Sequence, residues 1–290
     1  MTFPRISHLA RCGAVSLLAV GLTGCAIDSS SDSRQAENGA VQVFAASSLQ
    51  PIGGELERAF ERENPGADIT FNYGGSTALV RQLANGAHAD LLITADTASM
   101  DSARTSVPEL SDAQPHTIAT NRLVLVTAAN NPAHIHRLED LASGEVTTGI
   151  CAAQVPCGVI AHHVLDQAYL QLGKAAEEEN VAAVATKIAT SAVDAGFVYS
   201  TDAAALARQG KTTEIPLPQA EPNQYPAALT ASGSHNVKAE KFQQWLASAE
   251  AQKILRDHGF GPAPEGSTTA SPSTDRRTTE STASAAAGRA

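Results

Sequence analysis

The feature that most restricts this fold is a repeated succession: an apolar run, a few small residues, and a short polar or neutral residue that opens an amphipathic stretch. It first appears at Val41-Gln42-Val43-Phe44-Ala45-Ala46-Ser47-Ser48-Leu49-Gln50-Pro51. Val41, Val43 and Phe44 are strand formers, and Ile52, Leu56, Ala59 and Phe60 then recur at helical spacing. Ser48 is therefore expected at a strand-to-helix handover, as the N-cap, with Pro51 in the first turn. The pattern returns at Asp68–Tyr73, where Gly74-Gly75 breaks the strand and Ser76 opens a helix carrying Leu79, Val80 and Leu83. A serine in such a place is by itself only a cap. A helix start also presents unpaired N–H groups and a partial positive charge, which suit an anion.

The second half follows the same grammar. Strands are expected at Ala89–Asp96, Asn121–Thr127, Glu145–Ile150, Asp194–Tyr199 and Tyr225–Thr230, with an edge strand near Glu214–Leu217. The segment Glu177-Glu178-Glu179 reads as an acidic run before Asn180, a good cap for the helix from Val181. Strands that are solidly apolar and alternate with helices predict an α/β fold with covered, mostly parallel sheets. Four helix starts, near Ser48, Ser76, Cys157 and Val181, lack Lys and Arg, and Tyr199 puts a phenol at a further strand-to-helix junction. In α/β folds ligands gather where the strands end and such helices begin.

The chain ends carry other information. Residues 1–24 have Arg5 and Arg11 ahead of an apolar run from Ala14 to Leu22, as a secretory signal peptide does. Leu22-Thr23-Gly24-Cys25 resembles a lipobox, which predicts cleavage before Cys25 and lipid on its thiol. Residues 25–39 read as a flexible tether, and 263–290, rich in Ser, Thr and Ala, as a disordered tail. The formal charge of −10 becomes −12 once Arg5 and Arg11 leave, and no basic patch exists for nucleic acid. Of the four cysteines, Cys12 leaves with the signal and Cys25 takes lipid. Outside the cytoplasm the remaining pair, Cys151 and Cys157, is expected to form a disulfide. A metal site there would need further ligands, and His162 and His163 point to different faces of their helix.

Taken together, the chain resembles the molybdate-binding proteins of bacterial ABC importers. The stretches that carry this are Phe44-Ala45-Ala46-Ser47-Ser48-Leu49, Gly75-Ser76-Thr77-Ala78-Leu79, Ala89-Asp90-Leu91-Leu92-Ile93, Val155-Pro156-Cys157-Gly158, Asp194-Ala195-Gly196-Phe197-Val198-Tyr199 and Tyr225-Pro226-Ala227. The resemblance implies a two-lobed periplasmic-binding-protein fold of type II, with the ligand between the lobes. It implies a first lobe of residues 40–122 plus 225–262 and a second of 123–224. It also implies an oxyanion held without a charged side chain: hydroxyl and backbone donors from Ser48 and Ser76, backbone N–H groups of Cys157 and Val181, and the Tyr199 phenol. Some family members carry Ala at the position of Cys157, which suits a backbone donor.

A donor-only site matches the chemistry of molybdate and tungstate, which are dianions at neutral pH and only accept hydrogen bonds. Phosphate, partly protonated, gains from a carboxylate acceptor, and sulfate is smaller. Affinity is expected to be nearly flat between about pH 6 and 8, because no donor of the set titrates there. The resulting expectation is a monomeric receptor, not an enzyme, without cofactor or direct metal-ion ligands. It would sit outside the cell, lipid-anchored, and pass molybdate or tungstate to an ABC permease. A receptor for sulfate or phosphate is the alternative. A serine hydrolase is disfavoured because neither Ser48 nor Ser76 lies in Gly-x-Ser-x-Gly. A thiol redox protein is disfavoured because five residues separate Cys151 and Cys157.

Overall fold

The computed structural model describes residues 40–264, apart from 211, 216 and 218–220. The signal peptide, the Cys25 anchor, the tether and nearly all of the tail, expected from the sequence, lie outside the described residues.

Among the described residues ten strands form two five-stranded sheets, and each sheet is the centre of one lobe. The first contains β1 (Ala40–Ala46), β2 (Asp68–Gly74), β3 (Leu91–Ile93), β4 (His116–Asn121) and β10 (Asn223–Leu229), in the order β2-β1-β3-β10-β4. The second contains β5 (Leu123–Ala128), β6 (Thr147–Cys151), β7 (Lys174–Glu178), β8 (Ala195–Tyr199) and β9 (Thr212–Ile215), in the order β7-β6-β8-β5-β9. The helices are α1 (Gln50–Glu63), α2 (Ser76–Ala84), α3 (Thr97–Ser106), α4 (Pro156–Gln167), α5 (Val181–Ala189), α6 (Ser200–Arg208), α7 (Val237–Trp245) and α8 (Ala249–Asp257).

The α/β class holds, but the sheets are mixed rather than mostly parallel. β1 pairs parallel with β2 and β3, and β6 with β7 and β8. β10 runs antiparallel to β3 and β4, and β5 antiparallel to β8 and β9. The cause is the chain path. It leaves the first sheet through β4, enters the second at β5, and returns through β9 to β10, so the crossing strands run against their neighbours. The strand expected at Asn121–Thr127 is β5 from Leu123 on, while its first residue, Asn121, ends β4 of the other sheet, a strand not expected from the sequence, with the break at Arg122. β7, hidden in the acidic run, is an edge strand whose exposed charges discourage pairing with another chain.

After the return, α7 and α8 pack against the first lobe. Phe60 of α1 is wholly buried, edge-on to Phe242 at 5.0 Å and to Trp245 at 5.6 Å between centroids. Thr120 bridges to Gly261, closing the end of the lobe. In the second lobe, Gly149 and Gly196 lie opposite one another on β6 and β8. A Cβ at Gly196 would stand 2.8 Å from Ile188 and 2.9 Å from Val184. These two bare positions let α5 settle close on the sheet, which fixes where its N-terminus points.

Candidate oxyanion site

Ser48, Ser76, Cys157, Val181 and Tyr199 line one cavity of about 10 Å³ between the lobes, together with Ala46, Gly75, Ala95 and Asn180. That space is of the order needed for a single water. No lining residue carries a charge. The lobes touch across the opening. Thr77 Oγ1 donates to Gln154 O at 2.9 Å, and a Cβ at Gly75 would come within 2.5 Å of Glu179 O. Glycine there is what permits the approach.

The two serines are not the caps their sequence positions predict. Ser47–Leu49 forms a 3-10 turn, the residue capping α1 is Leu49, and Ser48 makes no capping bond. The Ser48 hydroxyl turns inward instead, 2.8 Å from Tyr225 Oη. Ser76 is the first residue of α2, with Gly75 as cap. Its Oγ accepts the backbone N–H of Ala95 at 3.0 Å. Since that N–H can only donate, the Ser76 proton stays free for an acceptor in the cavity. Both hydroxyls are 1% exposed.

On the opposite wall, Cys157 and Val181 stand in the first turns of α4 and α5. A helix has no internal acceptor for N–H groups there, and no other described residue accepts them. Asn180 caps α5 by accepting from Ala183 N at 3.0 Å, which leaves the Val181 N–H unused. Cys151 and Cys157 are bridged, with Cα atoms 5.7 Å apart, so the end of β6 is tied to the start of α4. Tyr199 ends β8, and its Oη is a buried polar atom without a partner. Burial first, then Tyr225, Asp96 and Asp202, hold this phenol well above its ordinary range, so it remains a donor at every physiological pH. An unmade buried hydrogen bond costs about 1–3 kcal/mol, and a ligand that accepts from Tyr199 removes that cost.

One carboxylate stands next to the donor set without lining the cavity. Asp202 in the first turn of α6 accepts from Tyr199 N at 3.3 Å. Burial pushes its carboxyl up to about 7, against the backbone N–H groups of Tyr199 and Asp202 that lower it. No donor titrates, but a charge beside the donors does. A raised carboxyl favours the fold fully below the unfolded carboxylate range, and this contribution is lost as pH rises through about 7.

A larger cavity, about 510 Å³, opens elsewhere on the second lobe, by the entry ends of β6 and β8. Glu139, Asp140, Glu145 and Asp194 line it, which is the wrong sign for an anion. Sequence reasoning missed the groups behind the serine wall, Tyr225 and Asn121. Tyr225 was read only as the start of a strand and as part of a resembling stretch, and nothing local indicates a partner 177 residues away.

The sequence matches the bacterial extracellular solute-binding protein family over residues 41–261. It is 34% identical over 252 residues to the molybdate-binding protein ModA of Mycobacterium tuberculosis, covering 86% of this chain and 96% of that one. It is 28% identical over 244 residues to the putative ABC transporter substrate-binding lipoprotein YvgL of Bacillus subtilis, covering 82% and 92%. Its fold is similar to the Azotobacter vinelandii periplasmic molybdate-binding protein, with a TM-score of 0.64 and 22% identity over 76% of this chain and 98% of that one. It is also similar to the sulfate-binding protein SubI of Mycobacterium tuberculosis, with a TM-score of 0.67 and 19% identity over 79% and 88%. With a family match across nearly all of the described residues and a relative this similar along almost its whole length, the chain belongs to the bacterial extracellular solute-binding proteins.

Proposed function

We propose that this protein binds molybdate, and tungstate with it, outside the cell and delivers the anion to the permease of an ABC importer. The observation that carries this is the small uncharged cavity into which a partnerless phenol, a free serine proton and two helix starts all present donors. The relatives named for molybdate binding and for ABC transport support it. Ser48, Ser76, Cys157, Val181 and Tyr199 form the donor set, and no step of the reading calls for catalysis or a cofactor. Residues 40–122 with 225–262 form one lobe and 123–224 the other; the membership of the two sheets supports this division except at Asn223 and Gln224, which begin β10 of the first sheet. Closure follows because each lobe supplies only part of the donor set. The absence of a carboxylate among the lining residues disfavours phosphate.

Calorimetry of the purified protein with four anions tests the reading. Molybdate and tungstate bind at least about tenfold more tightly than sulfate and phosphate, because unmade hydrogen bonds to a smaller or protonated anion are costly. Sulfate or phosphate binding more tightly than molybdate overturns it. The same titration at pH 6 and pH 8 gives the weaker molybdate affinity at pH 8, since ionised Asp202 repels a dianion, and Asp202→Asn removes the difference.

The mature protein is a monomer held to the outer face of the membrane by lipid on Cys25. This rests on the Leu22-Thr23-Gly24-Cys25 motif behind its apolar run, and one acyl chain alone would anchor it only weakly. Mass spectrometry of the membrane fraction finds Cys25 as a lipid-modified first residue, and an unmodified or different first residue excludes the anchor.

A further inference from the structure

Ser48 can serve an anion only if its single proton points into the cavity, and the residues behind it determine whether it does. Its Oγ lies 2.8 Å from Tyr225 Oη, a pair in which either oxygen can donate. If Ser48 donated to Tyr225, it would turn lone pairs toward the ligand.

The direction is set from Asn121, at the end of β4 where the chain leaves the first sheet. Asn121 Oδ1 accepts the backbone N–H of Arg122 at 2.9 Å. A backbone N–H cannot accept, so this contact fixes which end of the amide is oxygen. Ser200 Oγ donates to the same oxygen at 2.8 Å. The amide nitrogen therefore faces Thr201 Oγ1, at 2.9 Å, and Tyr225 Oη, at 3.4 Å. The Tyr225 contact is long, but an amide N–H on that side can only donate. Tyr225 accepts from Asn121 and must place its own proton elsewhere. Asn223 Oδ1 makes no hydrogen bond with Tyr225 or with any other described group, so the acceptor in hydrogen-bond contact with the Tyr225 proton is Ser48 Oγ, at 2.8 Å. Tyr225 is fully buried and its phenol is raised above the ordinary range by burial, so it keeps that proton. Asn121 is 4% exposed, so little water competes for these contacts.

We propose that Asn121 and Tyr225 are positioning residues which, through a one-way chain of hydrogen bonds from Asn121 to Tyr225 to Ser48, hold the Ser48 proton toward the bound oxyanion. The inference rests on the oxyanion reading above and deepens it. The chain begins where the two lobes join and ends at the ligand. Asn121 also grips Thr201 and Ser200, at the start of the helix that follows Tyr199, so donors on both walls are referred to one side chain. Tyr225 does not line the cavity. It acts through Ser48, so its effect must vanish when Ser48 cannot donate.

That requirement supplies the test: molybdate titration of the whole protein carrying Ser48→Ala, Tyr225→Phe, or both, with melting temperatures measured alongside. Ser48→Ala weakens binding about ten- to a hundredfold and Tyr225→Phe about tenfold. The double variant binds within about twofold of Ser48→Ala alone, as expected for two groups acting through one contact. Asn121→Asp provides a second route: a carboxylate accepts where the amide donated, so the Tyr225 proton turns away from Ser48. It weakens binding at least as much as Tyr225→Phe, by an amount that also shrinks in the Ser48→Ala background. Additive losses, or Tyr225→Phe binding like the parent while Ser48→Ala fails, overturn the relay and leave the oxyanion site standing. Ser48→Ala binding like the parent overturns both.

Discussion

Ser76→Ala weakens molybdate binding ten- to a hundredfold and lowers stability as well. Two separate losses are expected because this hydroxyl has two uses. Its oxygen satisfies the Ala95 N–H at 3.0 Å, a group in the buried bend after β3 beside the cavity. Its proton is left free at the cavity wall. Alanine removes a charge-assisted donor, worth about 1.5–3 kcal/mol, and strands a buried backbone N–H, costing about 1–3 kcal/mol of stability. Ser76→Cys retains a weak donor and a weak acceptor, so it falls between the parent and Ser76→Ala. Cys157→Ala is the useful contrast, since the N–H of that residue survives the change. Calorimetry and thermal melting are read together. Unchanged affinity for Ser76→Ala removes Ser76 from the donor set.

Phe60→Ala destabilises the protein by about 3–5 kcal/mol, the range for deleting a buried aromatic side chain. Phe60 is wholly enclosed and meets Phe242 and Trp245 edge-on. Little nearby can collapse into the space, because Phe242 also packs against Phe71 at 6.1 Å and stacks on Trp245 at 6.0 Å. The position matters beyond its volume, since this cluster fastens the segment that returns from the second lobe onto the first helix of the chain. For a fold of this size the melting temperature falls by about 10 °C. Saturating molybdate restores part of it by mass action without repairing the cavity. Denaturant unfolding that gives a loss below about 1 kcal/mol contradicts this account of the core.

What could be read from the sequence was what depends on neighbours along the chain. The strand, small-residue and helix succession gives the α/β class, and the uncharged helix starts point to one kind of ligand. Asn180 is the cap its residue type predicts, bonding Ala183 N. Ser48 and Ser76 show the limit. Both stand at helix starts where serine favours capping, yet each hydroxyl is taken by a group remote in sequence, Tyr225 for one and Ala95 for the other. Tertiary contact overrides local preference there, and no periodicity reports it. The break at Arg122 was invisible because Asn121 and Leu123 continue a single apolar-rich run while entering different sheets. β7 was invisible because an edge strand can be polar on both faces. The titrating neighbour, Asp202, looks like any helix-start acid until its burial is known.

The chain passes between the sheets twice, once through Arg122 alone and once between β9 and β10. The first passage has no slack: one residue joins β4 of one sheet to β5 of the other. A link that short keeps two bodies in touch at one edge as a hinge pin does, so relative motion of the sheets has to pivot near Arg122. Their separation at that edge is settled when the chain folds, and a small ligand between the lobes need not supply the entropy of bringing it about.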